Sequence, residues 1–588
     1  MKLSDYVAKF LEEKNITHSY VLSGGCSVHL IDSINKRKKI EYIPLLHEQS
    51  CAMAADAHAR ISDNISSVIA TSGPGATNLL TGICCSYYDS IPVLAITGQV
   101  PTSQLKENSK SRQIGFQETD VVSIFRSVTK YVKMIKNPET IRYELEKAYY
   151  IATSQRKGPV LLDICDDVQR AEINPRKLKK FIPPKIKEKK SLLKSELKKI
   201  KSLVNESSRP IIIIGSGVRH SNTKDECEKF IKNLNIPFTL TWGAMDLIEH
   251  DNNLYAGSFG VTSSRSGNFA VQNSDLIICL GTRLDTHEVG SNIKTFAREA
   301  KRIIIDLDKS EQNKYSKMGF KVDLLLTMNL RYFLPSVNKI KFDVKNFSQW
   351  INHISIWKKK YQLCDTESAN QKKLVNPYFF MSELSNNLNS NINIFTDTGS
   401  NLIWTMQSLR VKKYQRVVSA WNHSPMGYSL PASIGAAFCE NKKMVVCITG
   451  DGGLQMNIQE LATIYKHQLN IKIFVLNNHC HGIIQGTQQA WLNSMFCASD
   501  PVEGKLPDPD YVKISQAYGI PSKNINNHRK LKKILPEIFK FKGPMLLNIQ
   551  MEKKSQIYPK LLFGRPIEDS HPLLDREEFY EQMFVKPL

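Results

Sequence analysis

Short apolar runs that stop at Gly, Asp or Asn recur along the chain. In order they include SSVIATSGPG, IPVLAITG, GPVLLDIC, RPIIIIGSG, SDLIICLG, RIIIDLD, NINIFTDTG, KMVVCITGDG, IKIFVLNN and GPMLLNI. Continuous apolar runs, without polar alternation, are strands buried on both faces, the mark of parallel sheets. Segments of helix length separate them, so the repeating unit is strand–helix–strand. The predicted class is α/β, with three doubly wound parallel-sheet domains. Ligands of such sheets bind at the carboxyl ends of the strands, which is where the polar tips fall.

Length and composition divide this pattern. A chain of 588 residues is too long for one core, and its 41% apolar content is enough for several. Three blocks are expected, 1–175, 190–340 and 370–552, followed by a tail, 553–588, whose aromatic and apolar anchors predict order against another domain. The first and third blocks share a layout but no sequence repeat. The net charge of +23 raises nucleic acid as a partner. Much of the excess lies in RKLKKFIPPKIKEKKSLLKSELKKIKS, residues 176–202, which reads as a linker entering a solvated helix. A single-strand groove needs stacking aromatics, and only Phe181 is present there, so no nucleic acid is expected. No run approaches the ~18 uninterrupted apolar residues of a membrane span. MKLSDYVAKFLEEKN is an amphipathic helix pattern without a signal-peptide core. Twelve scattered Cys, with no CxxC pair, read as reduced thiols of a cytoplasmic protein.

Two strand tips carry more than a turn. VCITGDGGLQMN, residues 446–457, sets Asp451 between glycines where a strand enters a helix, and IFVLNNHCHG, residues 473–482, ends the next strand on an Asn pair. Flanking glycines let the backbone approach a ligand and bare the amides at the helix start, a phosphate-binding arrangement. Asp451 and Asn478 both offer hard oxygens. Mg2+ takes one or two of these and completes its octahedron with phosphates and water. GDG alone is an ordinary turn; GDG and NN on successive strand tips describe a diphosphate held through a divalent ion.

With LLHEQSCAMAADAHAR, TSGPGATNLLTGI, DSIPVLAITGQVP, FQETD, MGYSLPASIGAA and GDGGLQMNIQELATI in order, the chain resembles the thiamine-diphosphate (ThDP) enzymes over nearly its whole length. Within them it is most similar to the acetolactate synthase (acetohydroxyacid synthase) large subunit. The resemblance implies two ThDP-binding-fold domains flanking a central Rossmann-like domain. It implies Mg2+ held by Asp451, Asn478 and the backbone carbonyl of Cys480. Gly399, Ser400, Asn401, Ser424, Gly450, Gly452, Gly453 and His481 would contact the cofactor, and Met426 would bend it. Glu48 falls where the family hydrogen-bonds the aminopyrimidine ring and shifts it to the imino form; read alone, it is a helix cap or ion-pair partner. Gln117 is the implied donor to a developing alkoxide, and Gly25 and Phe116 would face the substrate. TSGPGATN, residues 71–78, looks like a phosphate loop, but in the family it is wall beside the thiazolium. The family places residues matching Glu48 and Asp451 in different subunits, so a homodimer or homotetramer is implied.

The departures all touch the acceptor side. The family's carboxylate-binding Arg aligns with His287, its pocket-sizing Trp aligns near Thr487, and residues 102–115 form a longer loop. His cannot replace a planar bidentate clamp. The expected activity is therefore a carboligase that decarboxylates pyruvate or a related 2-keto acid and transfers the activated aldehyde to a second carbonyl, with a keto-sugar nucleotide suiting the altered pocket. The tail FGRPIEDSHPLLDREEF is similar to ThDP proteins of surface-polysaccharide gene clusters. The alternatives are a true acetolactate synthase of branched-chain amino acid synthesis and a simple 2-keto acid decarboxylase. FAD stays open. Gly215, Gly217, Arg283 and Asp306 match loops that contact flavin in the family, but its GMHG segment reads GVTS here, and such glycines are also common in doubly wound sheets.

Overall fold

The computed structural model describes residues 1–107, 109–185, 187–343 and 346–588. Asn108, in the segment 102–115, and Ile186, Val344 and Lys345, in the two interdomain stretches, lie outside it. The first sheet contains β1 (His18–Val21), β2 (Glu41–Pro44), β3 (Ser66–Ala70), β4 (Val93–Gln99), β5 (Tyr131–Ile135) and β6 (Val160–Cys165). The second contains β7 (Pro210–Ile214), β8 (Phe238–Leu240), β9 (Leu276–Leu280), β10 (Lys301–Asp306) and β11 (Leu324–Thr327). The third contains β12 (Asn393–Thr396), β13 (Arg416–Val418), β14 (Val445–Gly450), β15 (Ile471–Asn477), β16 (Ser522–Ile525) and β17 (Met545–Gln550). Strand pairing within these sheets is parallel. The fold is α/β with three parallel-sheet domains, as the apolar runs predict.

The strand orders are β2-β1-β3-β4-β6-β5, β11-β10-β9-β7-β8 and β13-β12-β14-β15-β17-β16. Counted within each sheet, the first and third orders are the same, so one topology occurs twice without a repeated sequence. In each sheet the first strand has its second on one side and its third on the other. That reversal opens a crevice at the carboxyl ends of β1/β3, β7/β9 and β12/β14, and it is where ligands of doubly wound sheets bind.

The centres of the sheets are β-branched and dry: β7 is Pro-Ile-Ile-Ile-Ile, buried at every position, with Ile212 in register with Ile278. The first and third domains meet through the alanine-rich helix Glu48–Ser62 and the helix Ser429–Cys439, which share one core. Gly435 permits that crossing, because a Cβ there would collide with the Ala54 carbonyl. The stretches between the sheets are partly helical: Lys194–Glu206 buries Ile200 and Val204, and Ser348–Lys360 buries Trp350, Ile354 and Trp357. The tail lies on the central domain. Buried Glu568 accepts from Gln272 (2.5 Å) and pairs with Arg298 (2.7 Å), and Phe579 packs on Phe269. Among the described residues no helix is long and apolar enough to cross a membrane.

One buried carboxyl gives the first domain a pH-dependent stability. Asp163 in β6 has no exposed surface and accepts from Thr97 Oγ1 (2.7 Å) and Gln99 Nε2 (2.9 Å). Burial pushes its pKa up from 3.8 to about 7. The folded chain therefore holds this proton more tightly than the unfolded chain does. The resulting stability is complete below about pH 4 and is lost as pH rises through about 7. Asp163→Asn should flatten the decline in melting temperature across that window by the equivalent of up to ~1 kcal/mol per pH unit. Melts of both proteins at stepped pH check this; parallel curves would refute it.

Candidate active site

The crevice of the third sheet gathers the residues that the two strand tips single out. β14 ends at Gly450 and the helix Asp451–Met456 starts at once. The buried Asp451 carboxylate accepts from the Gly452 N–H (2.8 Å) and, across to the next strand tip, from the Cys480 N–H (3.2 Å). Burial pushes its pKa up to about 6. The Asn pair divides its labour. Asn477 Oδ1 accepts from the His479 N–H (3.0 Å) and forms the turn. Asn478 makes no hydrogen bond to a described residue and faces the crevice: a Cβ on Gly482 would lie 2.6 Å from its Nδ2 and 3.2 Å from Ser400 Oγ. The Cys480 carbonyl accepts from the Gly482 N–H (3.0 Å), leaving one lone pair for a ligand.

Glycine is required where this crevice is narrowest. A Cβ on Gly452 would sit 2.8 Å from His481 Nε2 and 2.9 Å from Met426 Cε, and one on Gly453 would sit 2.9 Å from Asp397 Oδ2. Gly399, at φ +93°, opens the helix Ser400–Ser408, where a Cβ would meet nothing closer than Asn401 Nδ2 at 3.8 Å. That helix start lies beside both strand tips, through Asn401 at Gly450 and Ser400 at Gly482, and its bare amides are a donor set that fits a diphosphate. Asn401 Nδ2 bonds the Thr398 carbonyl (2.7 Å) and lies 3.2 Å from a Cβ built on Gly450. Ser424 Oγ bonds Thr398 Oγ1 (2.7 Å). Met426 is half-buried, so it is not ordinary core.

Sequence reading missed the organiser of this crevice, Asp397. Fully buried at the end of β12, it accepts from the Thr398 N–H (2.8 Å), the Gly427 N–H (2.9 Å), Ser429 Oγ (3.1 Å) and Thr449 Oγ1 (3.2 Å). It thereby fixes the loop that carries Met426. Its only signal is the strand-end position in FTDTGS, which an ordinary turn shares.

The corresponding crevice of the first sheet holds the other candidates. Glu48 begins its helix and is buried; its Oε2 accepts from Asn78 Nδ2 (3.0 Å), and a Cβ on Gly75 would lie 3.4 Å from Oε1. Gly73 (φ +60°) packs on Gln117, itself left-handed at φ +64°, so strained backbone holds that amide in place. Phe116 is 83% exposed, and beside Gly25 the space where a Cβ would stand is empty. Glu118 accepts from the Lys106 N–H (2.6 Å) and the Ile114 N–H (2.9 Å), so these two residues of the longer loop fold over it. Leu46 N–H donates to Glu460 (3.0 Å) and Ser50 Oγ to Asn457 (3.1 Å), tying this segment to the third domain. Among the described residues, no hydrogen bond or ion pair joins Glu48 or Gln117 to Asp451, Asn478 or Met426.

A cavity of about 670 Å3 lies where the three domains meet, lined by Gly217, Trp242, Arg283, His287, Asp306 and Gly399 among others. Gly215 does not line it; a Cβ there would collide with the Gly281 carbonyl, so packing between two strand-end turns explains that glycine. Trp242 Nε1 is buried in the cavity wall without a partner among the described residues. Burial raises the Asp306 carboxyl to about 6. His287 lines this cavity with its ring 3.8 Å from that of Trp242, while its Nε2 bonds Thr262 Oγ1 (3.2 Å), a wall residue of a second cavity. Burial lowers its pKa, so it stands as a neutral ring. Thr487 and Trp491 also line that second cavity, of about 590 Å3.

Three matches to known families follow the chain in order. Residues 1–124 match the N-terminal TPP binding domain of thiamine pyrophosphate enzymes, 197–329 their central domain, and 397–549 their C-terminal TPP binding domain. The chain is 31% identical over 574 residues to the acetolactate synthase large subunit of Cyanidium caldarium, covering 94% of each protein. It is 32% identical over 564 residues to a probable acetolactate synthase large subunit of Methanocaldococcus jannaschii, covering 94% of this chain and 92% of that one. It is 28% identical over 566 residues to the acetolactate synthase isozyme 1 large subunit of Escherichia coli, covering 95% of each. Three domains matched in order and identity sustained from end to end mean that the chain belongs to the thiamine-pyrophosphate-dependent enzymes, in the family of the acetolactate synthase large subunit.

Proposed function

We propose that this ThDP-dependent enzyme is a Mg2+-requiring carboligase that takes a small 2-keto acid of the pyruvate kind, releases its carboxyl group as CO2 and joins the remaining fragment to a second carbonyl compound. The observation that carries the reading is Asp451 bonded across two strand tips to Cys480, opposite the bare helix start at Gly399–Ser400. When bound, thiamine diphosphate supplies a nucleophilic thiazolium carbon and a sink for the electron pair that decarboxylation leaves. Asp451 and Asn478 would hold Mg2+ through side-chain oxygens, with one lone pair of the Cys480 carbonyl beside them. Met426 would buttress the cofactor against Gly452. Glu48 would hold and return a proton at its carboxyl oxygens, kept dry by burial and oriented by Asn78. Gln117 would donate to the substrate oxygen that gains charge. Because the Glu48 crevice opens to solvent at Gly25 and Phe116 and makes no bond to Asp451, a second copy would complete each site, giving a homodimer or a homotetramer built from it.

The larger cavity is the place for FAD. Its volume lies in the range of ligand sites, and Gly217, Arg283, Asp306 and the unpaired Trp242 Nε1 line it. The second cavity is the acceptor's. Its size favours a bulky carbonyl such as a keto-sugar nucleotide, as in surface-polysaccharide assembly. The names of the relatives favour a second keto acid instead. The test is to incubate the protein with ThDP, Mg2+ and pyruvate, with and without keto-sugar nucleotides, and identify adducts by mass spectrometry. An adduct with the sugar nucleotide is expected; efficient acetolactate formation from pyruvate alone would remove that acceptor. Failure to bind ThDP would remove the carboligase reading, and visible absorbance of the purified protein reports the flavin.

A further inference from the structure

The second cavity is built from segments far apart in the chain: Val261, Thr262 and Thr286 of the central domain, the helix Gly482–Trp491, and tail residues between 555 and 564. It also touches Ser400 and Gly482, so it opens onto the strand tips of β12 and β15. Of the twenty described residues that line it, one is charged: Lys560.

Backbone bonds fix Lys560 on both sides. It exchanges two N–H···O bonds with His571 (2.9 and 2.7 Å), and the next residue, Leu561, donates to the Val261 carbonyl (2.7 Å). Its side chain reaches across Gly486, where a Cβ would lie 3.7 Å from Nζ. Among the described residues the ammonium has no hydrogen bond and no ion pair. Burial alone lowers its pKa, and no acidic group offsets it. Leaving a cation half-buried and unpaired on an otherwise uncharged wall is unfavourable unless an anion joins it. At the mouth, Trp491 and Phe563 meet edge to face and are 66% and 81% exposed, offering aromatic surface to a base or sugar carried by that anion.

We infer that Lys560 binds the anionic group of the acceptor, a phosphate or a carboxylate, in the second cavity. An ammonium is a compact point charge that suits either group. The word acceptor rests on the carboligase reading; the anion site rests on the cavity and its lone cation.

Titration calorimetry on the protein loaded with ThDP and Mg2+ tests this with two unreactive probes, UDP for a nucleotide-linked acceptor and 2-hydroxy-2-methylpropanoate for a second keto acid. UDP is expected to bind, and Lys560→Met to weaken it roughly ten- to hundredfold, the loss of one charge-assisted hydrogen bond. Lys560→Arg, which keeps the charge, should recover most of the affinity. If instead the hydroxy acid binds and is weakened by Lys560→Met, the anion is a keto-acid carboxylate and the assignment of Lys560 stands. If neither probe binds, or Lys560→Met binds both as the unaltered protein does, the inference is overturned. Thermal melts establish that each variant is folded. Failure to load ThDP would sink the carboligase reading separately, and the same two titrations would still decide whether Lys560 binds an anion.

Discussion

Asp451→Ala is expected to lose Mg2+ and thiamine diphosphate together. Removing an outer partner of a metal ligand costs about 10- to 100-fold in affinity, so removing a ligand itself should exceed about a hundredfold. The alanine variant also leaves the Cys480 and Gly452 N–H groups without their acceptor, at about 1–3 kcal/mol for each one that stays buried. Asp451→Asn separates the two effects in part, since its single amide oxygen can still accept from one of those N–H groups while the charge is gone. The expected result is a smaller loss of melting temperature for Asp451→Asn than for Asp451→Ala without cofactor, and for both variants a collapse of ThDP affinity in calorimetric titration at fixed Mg2+. Unchanged ThDP binding in Asp451→Ala would end the claim that these strand tips hold the cofactor.

What the sequence made legible follows from what burial does to sequence. All ten apolar runs are strands, and each lies inside its sheet. Of the six edge strands, β2, β5, β8, β13 and β16 left no such run, and β11, Leu-Leu-Leu-Thr, is a short run missing from the ten. Open on one side, they are either three residues long or broken by exposed positions, as in β2, β5, β11 and β16. β1, His-Ser-Tyr-Val, was hidden by its polar start. The strand-tip pair could be read because both tips are local patterns at a fixed spacing. Asp397 and Lys560 could not, for opposite reasons. Asp397 is a single carboxylate at a strand end, where aspartate is common as a turn former, and its role appears only when Gly427, Ser429 and Thr449 arrive from elsewhere. Lys560 is one cation in a chain with 79 Lys and Arg. Only the meeting of three remote segments isolates it in a pocket. His287 reads as a departure from the family pattern, but its position between the two cavities, packed on Trp242 and bonded to Thr262, depends on tertiary packing.

Glu48→Gln should abolish turnover while leaving the cofactor bound. The proposed anchor for the diphosphate lies at the tips of β12, β14 and β15, away from Glu48, and a glutamine can still accept from Asn78, so neither the fold nor ThDP affinity should suffer. What is lost is a group that exchanges a proton, and such groups contribute about 10²- to 10⁴-fold to rate. Consumption of 2-keto acid should fall by that factor in protein that still titrates with ThDP; normal turnover would remove Glu48 from the mechanism. The variant also tests how the site is assembled. If each site takes Glu48 from one copy and Asp451 from the other, a hybrid of Glu48→Gln and Asp451→Ala chains contains one site with both lesions and one with neither. Equal mixing and reassembly of the two inactive proteins would then restore about a quarter of the unaltered activity, since half the dimers are hybrids with one intact site each. If both residues serve a site within a single chain, every site in the mixture carries one lesion and no activity returns. Restoration therefore requires a shared site, and its absence from reassembled hybrids would place both half-sites in one chain, against the exposure of Phe116 and Gly25.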